Sequence, residues 1–247
     1  MTPFYTGKAD IHIHSNHSDG AASIREILEY VRKHTDLNVV AIADHDTLDG
    51  SLTARDLAHE YGLEAVPAME VSSRHGHILA LWVEQPIPAG LPAGETIALI
   101  HEQGGIAVAA HAIEPFSASL LSVRPRVLAP WHLKDLGIDG LEAFNASITI
   151  PPMEWVARLA AEWLGVAVTG GSDAHYLGTI GRGVTLFPGH TAADLKAAIL
   201  ERRTTPAGAR YALKHYAGHV WHRRISHTRL GLWASRKLAP AYARIPR

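Results

Sequence analysis

Apolar runs of four or five residues recur along the chain, each far enough from the next to leave room for a helix between them. The runs lie at residues 39–42, 63–66, 106–110 and 166–169. Short, mostly apolar runs bounded by polar or turn residues are typical of strands buried on both faces, which occur in parallel sheets. The pattern therefore predicts a core of buried parallel strands.

Segments with apolar residues three and four positions apart predict helices between these strands. The clearest spans Ser23 to Lys33 and begins with a capping box formed by Ser23 and Glu26. Further helices are predicted at residues 52–61, 95–103, 152–164 and 192–202. Strands that alternate with helices are typical of an α/β barrel. Two segments that each contain three prolines, 84–94 and 114–136, predict loops over the barrel mouth, where we expect substrate selectivity to lie.

Two histidines stand in the first predicted strand. His12 and His14 alternate with Ile11 and Ile13, and side chains two residues apart share one face of a strand. Imidazole is the commonest metal ligand in proteins. An isolated His-x-His pair is also typical of polar residues on a half-wet strand face, so the rest of the chain must decide between these interpretations.

Further side chains of the ligand type follow the later apolar runs. They are His45 with Asp44 and Asp46 on either side, Glu70, His75, His77, His111, Asp173 and His175. Because the carboxyl ends of barrel strands meet on one face, we expect these side chains to converge there. The two acids that flank His45 are interpreted as cap or turn residues. The pattern predicts a metal-dependent active site.

The segments HIHS, SDG, ADHDT, ME, GHILAL, AH and GSDAH occur in this order between residues 9 and 183. In order and in flanking residues they resemble the PHP (polymerase and histidinol phosphatase) family of metal-dependent phosphoesterases. The resemblance implies a distorted (β/α)7 barrel, which we assign to residues 1–204. It also implies nine metal ligands, namely His12, His14, Asp19, His45, Glu70, His77, His111, Asp173 and His175. One departure from the family is that Ala112, rather than proline, follows His111, which affects the shape of that loop.

The resemblance further implies how the ligands are shared among two or three divalent ions. By the resemblance, His12, His14 and Asp173 hold one ion, Glu70 bridges to a second bound by His77 and His111, and Asp19, His45 and His175 hold a third. Two metals that share a carboxylate lie ~3.5–4 Å apart and activate a hydroxide that attacks phosphorus in line. Nitrogen and oxygen donors without thiolate favour Mn²⁺, Fe²⁺ or Zn²⁺ over Mg²⁺.

Four neighbouring residues are assigned further roles. Asp10 shares a strand face with the His-x-His pair, so we interpret it as a carboxylate that orients an imidazole. His17 is a candidate general acid for the leaving group. His75 is a candidate substrate contact, with a solvent-facing histidine as the alternative. Arg182 is a candidate phosphate clamp, since a guanidinium can bind phosphate through two parallel hydrogen bonds.

Composition narrows the chemistry and the compartment. The chain has 247 residues, of which 47% are hydrophobic, and this is enough for the core of one barrel domain. It contains no cysteine, which excludes disulfides and thiolate zinc sites. The N-terminus lacks the basic and apolar regions of a signal peptide, and no run approaches the roughly 18 apolar residues of a membrane span. We therefore expect a cytoplasmic protein.

The charge is divided unevenly along the chain. Residues 1–200 carry 12 basic and 23 acidic residues, whereas residues 201–247 carry 11 basic residues and one acid. We predict that residues 205–247 form a basic C-terminal extension, which contains tryptophans and histidines and is helical. Such a surface binds the acidic body of the same protein or a second copy in a homo-oligomer, an anionic membrane surface, or nucleic acid. The sequence leaves these three partners open.

Three classes of function fit these observations. A chain scarcely larger than its barrel favours a free-standing phosphoesterase, a phosphatase or phosphodiesterase, that acts on a small phosphorylated metabolite or nucleotide. The alternative is a nuclease, or a nucleic-acid-binding PHP module, that uses the basic extension. A third is an amidohydrolase-like enzyme that cleaves a C–N bond with the same metals. A complete ligand set argues against a non-catalytic scaffold.

Overall fold

The structure, a computed structural model, describes residues 4–113, 119–120, 134–147 and 152–212. Ten strands in these residues fall into two five-stranded sheets. In the first sheet the order is β10-β9-β1-β2-β3, formed by β1 (Gly7–Ile13), β2 (Val39–Ile42), β3 (Glu64–Val66), β9 (Gly183–Phe187) and β10 (Thr205–Gly208). In this sheet β1, β2 and β3 are parallel, and β9 is antiparallel to both β1 and β10.

The second sheet follows the chain order. It consists of β4 (Ala68–Ser72), β5 (His77–Leu81), β6 (Ile106–Ala109), β7 (Gly140–Asn145) and β8 (Ala167–Gly171). Strands β6, β7 and β8 are parallel, whereas β5 is antiparallel to both of its neighbours. The four apolar runs singled out in the sequence correspond to β2, β3, β6 and β8. The parallel pairing predicted for them is confirmed, but β4, β5, β9 and β10 add antiparallel pairs that the prediction did not include.

Helices connect these strands close to the predicted positions. They are α1 (Ile24–His34), α2 (Asp49–Leu57), α3 (Ala93–Glu102), α4 (Pro152–Leu164) and α5 (Ala192–Leu200), with short 3-10 helices at Ala58–Tyr61 and Leu177–Thr179. The capping box predicted for α1 is present, because Ser23 accepts a hydrogen bond from the Glu26 backbone and the Glu26 side chain accepts one from the Ser23 backbone. The predicted loop at 84–94 precedes α3, which begins at Ala93; most of 114–136 lies outside the described residues.

The predicted barrel is not closed by a continuous ladder of backbone hydrogen bonds within the described residues. The two sheets meet instead at isolated bridges, Ile13 with Ala174 and His45 with Glu70. Between β8 and β9 the Thr185 hydroxyl donates to the Gly170 carbonyl and accepts from the Gly170 N–H, at 2.8 and 2.9 Å. The fold is therefore α/β with two mixed sheets, and the ends of strands from both sheets border the gap between them.

Apolar side chains fill the space between the sheets and under the helices. Ile11 and Val39 of the first sheet share one buried cluster with Leu79 and Val108 of the second. The apolar face of α1 packs on the opposite side of the first sheet, where Ile27 and Leu28 are fully buried. The strands are thus covered on both faces, as their apolar sequences predict.

The structure moves the boundary predicted after residue 204. Strand β10 pairs with β9 from Thr205 to Gly208, and Tyr211 is buried. The first residues of the supposed extension are therefore part of the folded body, while the helix predicted for the extension lies, from residue 213 on, outside the described residues. Within the described part of the chain, no helix has the length and apolar character needed to span a membrane.

Candidate metal centre

The carboxylate of Glu70 lies at the centre of five imidazole rings. Its Oε1 atom is 2.9 Å from His77 Nδ1 and 3.1 Å from His111 Nε2. Its Oε2 atom faces three more ring nitrogens, at 3.3 Å for His12 Nε2, 3.4 Å for His14 Nε2 and 3.3 Å for His45 Nδ1. Residues spread over 100 positions of the chain thus converge on one buried acid.

The strand ends explain this convergence. His12 lies near the end of β1 and His14 just beyond it, so the two-residue period places both rings on the side that faces the second sheet. His45 follows β2 and reaches Glu70 through the bridge between the sheets. His77 begins β5, which is antiparallel to the strand that carries Glu70, and His111 follows β6.

Two further acids complete the centre. Asp173 follows β8, and its Oδ1 atom lies 3.7 Å from His12 Nε2 and 3.4 Å from His14 Nε2. Asp19 lies in the loop before α1, and its Oδ1 atom is 3.1 Å from His175 Nε2. The rings of His14 and His175 stack with their centroids 4.2 Å apart. All nine residues named from the sequence are therefore brought together.

Ligand atoms in the described residues form three groups in which all atoms lie within 4.8 Å of one another. The groups are His12, His14 and Asp173; His45, Glu70 and His77; and His14, Asp19, His45 and His175. The first matches the first ion implied by the family resemblance. The third group contains the three residues implied for the third ion and, in addition, His14. The second group contains His45, whereas the resemblance implied His111 for that ion. His111 Nε2 nevertheless lies 3.1 Å from Glu70 Oε1.

The ring of His14 shows most directly that these residues fit metal ions. Its side chain is fully buried, and neither ring nitrogen has a hydrogen-bond partner among the described residues. Burial, together with the positive charge of His175, lowers its pKa to about 4, so near neutral pH the ring keeps a free nitrogen lone pair. A buried polar atom without a partner costs free energy, and a divalent cation satisfies such an atom by coordination.

The acids and imidazoles of the centre shift one another's pKa values. Burial acts to raise the pKa of Glu70 and of Asp173, but neighbouring imidazoles, His12 first among them, outweigh it and hold both pKa values well below the usual range. Burial acts in the opposite sense on His12, whose pKa the carboxylates of Glu142 and Glu70 raise well above its usual value. In the absence of metal, protons on imidazole therefore supply the positive charge that these acids require.

Glu142 is a functional residue that the sequence interpretation missed. It lies fully buried in β7, and its Oε1 atom is 3.0 Å from His12 Nδ1, so it orients the imidazole and leaves Nε2 for a metal. Its Oε2 atom accepts hydrogen bonds from the His111 backbone at 2.6 Å and from Asn145 at 2.9 Å. A Cβ atom on Gly171 would lie 2.3 Å from Glu142 Oε1, so glycine is required for this approach.

Asp10 has a different role from the one predicted. Its Oδ1 atom accepts hydrogen bonds from the backbone N–H groups of His12 and Ser172, and its Oδ2 atom accepts one from Gly181. Burial raises its pKa to about 6, although these hydrogen bonds oppose the shift. Asp10 therefore fastens the backbone of the ligand loops together, while Glu142 is the carboxylate that orients an imidazole.

The remaining predicted residues lie outside the three ligand groups of the described chain. His17 is exposed in the loop between His14 and Asp19, and its backbone N–H donates to the Ser15 hydroxyl. His75 accepts a hydrogen bond at Nδ1 from the backbone of Ala93, at the start of α3.

Arg182 is half-buried just before β9, and its Nε donates to the Gly178 carbonyl at 3.4 Å. Of the two aspartates beside His45, Asp44 is buried and accepts hydrogen bonds from the Ser15 backbone and from the Ser15 and Ser18 hydroxyls, and Asp46 accepts one from the Ser72 backbone.

Comparison with known proteins gives one family match and several relatives. A family model described as PHP-associated matches residues 155–204. The uncharacterized protein MJ1587 of Methanocaldococcus jannaschii is 37% identical over 150 residues, which cover 56% of this chain and 82% of that protein.

Two shorter matches are 36% identical to this chain. One, over 86 residues, is to a phosphoribosyl 1,2-cyclic phosphate 1,2-diphosphodiesterase of Eggerthella lenta, and covers 32% of each chain. The other, over 87 residues, is to a 5'-3' exoribonuclease of Haemophilus influenzae, and covers 34% of this chain and 31% of that one. The chain thus matches about a third of each of these two enzymes.

Solved structures share the fold at lower identity. A two-domain protein from Bacteroides vulgatus, which contains a predicted PHP-like metal-dependent phosphoesterase, is 18% identical with a TM-score of 0.66, over 83% of this chain and 66% of that one. The lesion-specific endonuclease Q of Pyrococcus furiosus is 18% identical with a TM-score of 0.56, over 87% of this chain and 66% of that one. The motifs, the family match and the shared fold together show that the chain belongs to the PHP family.

Proposed function

We propose that the protein is a metal-dependent phosphoesterase that hydrolyses a small phosphorylated metabolite or nucleotide. The observation that carries the proposal is the convergence of five imidazoles on the buried carboxylate of Glu70. Imidazole and carboxylate donors without thiolate suit Mn²⁺, Zn²⁺ or Fe²⁺. The three ligand groups support two or three ions.

The protein's own residues divide the work. His12, His14 and Asp173 would hold one ion, Glu70 and His77 with His45 or His111 a second, and Asp19, His45 and His175 a third. When bound, such ions supply Lewis acids for the phosphoryl oxygens and lower the pKa of coordinated water. Glu142 holds His12 in one orientation, and the partly exposed side chains of Asp19, His45 and His77 form the edge that substrate approaches.

Three residues outside the ligand set are proposed to act on the substrate. His17 would donate a proton to the leaving group, which its exposed place in the loop between two ligands supports. Arg182 would bind the phosphate. It follows the last motif, which ends at His175, and its Nε atom donates to the Gly178 carbonyl. His75 would contact the substrate only through Nε2, because Nδ1 accepts the Ala93 hydrogen bond.

The diphosphodiesterase match supports a small phosphoester as substrate, whereas the exoribonuclease match and the endonuclease fold support nucleic acid. We favour the small ester because the chemistry of the proposed centre needs only a phosphoryl group within reach of the ions. The role of the basic extension is left to experiment, since residues 213–247 lie outside the described part of the chain.

A substrate panel with metal analysis tests the proposal. The protein is reconstituted with Mn²⁺, Zn²⁺ or Fe²⁺, its metal content is measured, and its kcat/KM is compared on phosphomonoesters, phosphodiesters, single-stranded oligonucleotides and an amide. We expect at least two ions per chain and the highest kcat/KM on a small phosphoester. His14→Ala should abolish both metal binding and activity, whereas His59→Ala, which removes an exposed imidazole far from the centre, should change neither.

Three results would contradict the proposal. Less than one ion per chain would remove the metal centre. A higher kcat/KM on oligonucleotides than on every small ester would replace the small-ester substrate with nucleic acid. Cleavage of the amide alone would assign the reaction to C–N rather than P–O bonds.

A further inference from the structure

Two of the nine proposed ligands have a strained backbone conformation. His111 has φ 33° and Asp173 has φ 53°, both in the left-handed region that non-glycine residues seldom adopt. Such a conformation is sterically unfavourable for a non-glycine residue and persists only where its surroundings hold it. For His111 the holding group is Glu142, which accepts the His111 N–H. The corresponding group for Asp173 comes from the C-terminal end of the described chain.

That group is the hydroxyl of Tyr211. Its oxygen lies 2.8 Å from the Ser172 carbonyl and 3.1 Å from the Asp173 carbonyl, so its proton faces two adjacent backbone acceptors, and the hydroxyl also makes a hydrogen bond with the Thr179 side chain. The ring is buried against Phe144 and Ala146, and the Tyr211 backbone N–H donates to the Ala146 carbonyl at 2.9 Å. Both the ring and the backbone of Tyr211 are therefore fixed independently of the hydroxyl.

The Asp173 carbonyl connects Tyr211 to a second ligand. His175 Nδ1 donates to this same carbonyl at 3.0 Å. A ring that donates through Nδ1 presents a bare Nε2 as its ligand atom. His175 Nε2 lies on the inner side, 3.1 Å from Asp19, within the group that also contains His14 and His45. The position of one carbonyl oxygen thus sets which nitrogen of His175 faces the centre.

We propose that Tyr211 is a positioning residue for the metal centre, whose hydroxyl holds the Ser172 and Asp173 carbonyls and, through the latter, the orientation and tautomer of His175. The proposal rests on the metal-binding function proposed above. It assigns a part in the centre to a residue that lies after β10 and beyond the PHP-associated match at 155–204. The site is then incomplete in a chain that ends at the last metal-ligand motif.

Tyr211→Phe in the full chain tests the proposal, because it removes one oxygen and keeps the ring that packs on Phe144. We expect the weakest Zn²⁺ or Mn²⁺ site to lose about 10–100-fold in affinity, measured by competition with a chromogenic chelator. The ¹⁵N signals of His175 in the Zn²⁺-loaded wild type should show a proton on Nδ1, and Tyr211→Phe should show a mixture of ring states. Tyr61→Phe, which removes the same atom in the 3-10 helix after α2, serves as the matched control and should leave both readouts unchanged.

Each outcome is decisive. If Tyr211→Phe binds every ion as tightly as wild type, or changes only the unfolding temperature of the metal-free protein, the positioning role is rejected and Tyr211 is purely structural. If the variant fails to fold, the His175 spectrum of the wild type still decides, since a proton on Nε2 in the Zn²⁺-loaded protein would overturn the proposed chain of hydrogen bonds. Failure of the wild type to bind metal would instead reject the proposed function.

Discussion

The candidate metal centre has an inner set of side chains and an outer set, and the two differ in how the fold holds them. The inner side chains of His12, His14 and Glu70 are 0%, 0% and 1% exposed. The outer side chains of Asp19, His45 and His77 are 25%, 25% and 20% exposed. The inner set lies on β1, just beyond it or on β4, whereas most of the outer set lies in or at the edge of loops.

The difference indicates two tasks. Inner ligands are shielded from water, so their interactions with a cation are screened least and contribute most to affinity. The outer side chains are partly exposed, so in the proposed function a phosphoryl group and the attacking water would enter on that side. Inner substitutions should therefore abolish metal binding, while outer substitutions should change the last ion bound and the handling of substrate.

The largest effect is expected from Glu70→Gln. Removing this charge leaves five imidazoles without their shared carboxylate, and loss of one partner in a buried charge cluster costs about 3–5 kcal/mol. This corresponds to a loss of metal affinity of roughly 100-fold or more, measured by titration with a competing chelator. Asp19→Asn, in the outer set, is the matched control and should keep the ions of the two ligand groups that do not contain Asp19. Equal losses in the two variants would remove the distinction between the sets.

A smaller effect is expected from Glu142→Gln, which tests how much orientation adds to the inner set. The amide can still face His12 and the His111 backbone but supplies only one acceptor atom where the carboxylate uses two. We expect metal affinity and kcat/KM to fall by about 10–100-fold. Asp10→Asn removes charge from a carboxylate that bonds to the backbone of His12, Ser172 and Gly181 and to the Ser172 side chain, not to an imidazole, and its effect should be smaller. The reverse order would return the imidazole-orienting role to Asp10.

The pH dependence of metal binding tests the raised pKa values of three imidazoles in the centre. The pKa values of His12, His111 and His175 are raised by neighbouring carboxylates against the effect of burial. These rings therefore hold protons in the metal-free protein that a cation must displace, so affinity should rise with pH by up to about tenfold per unit for each proton released.

His14, whose pKa is lowered to about 4, carries no proton near neutral pH and therefore releases none on metal binding. Calorimetry of Zn²⁺ binding in two buffers of different ionisation enthalpy counts the protons, and binding without proton release would contradict the raised pKa values.

The smallest effect is expected from Arg182→Lys, outside both sets. A lysine keeps the charge but loses the two-pronged geometry for phosphate, so KM should rise several-fold with little change in kcat if ground state and transition state are bound alike. Steady-state kinetics on the best small ester measures both constants. Arg74→Lys, at an exposed position before β5, controls for loss of a guanidinium in general. An unchanged KM would place Arg182 outside the substrate site.

Local patterns predicted the helices, the buried parallel strands and the converging side chains because each is encoded within a few residues. The capping box at Ser23 and the two-residue spacing of His12 and His14 are examples. Glu142 was missed because a lone acid within the apolar segment 140–145 has no ligand partner nearby in sequence; its buried position in a strand was the available signal.

The role of Asp10 was misassigned because its backbone partners, Ser172 and Gly181, lie more than 160 residues away in the chain. Strand β10 and Tyr211 were missed for a related reason. Neither Thr205–Gly208 nor Tyr211 belongs to a periodic apolar pattern, and only the long-range pairing with β9 reveals their place.

The gap between the two sheets gives the ions a mechanical role. Each of the three ligand groups takes side chains from both sheets or from the loops directly after their strands, while the β-bridges between the two sheets in the described chain are isolated ones. Bound cations would cross-link the two sheets, adding about 2.7 kcal/mol to the free energy of unfolding per site at a free-metal concentration 100 times Kd. Metal supply would then govern both turnover and resistance of the protein to proteolysis. The amide protons of His14 and Ala174, at the bridge between the sheets, should exchange more slowly once metal is bound.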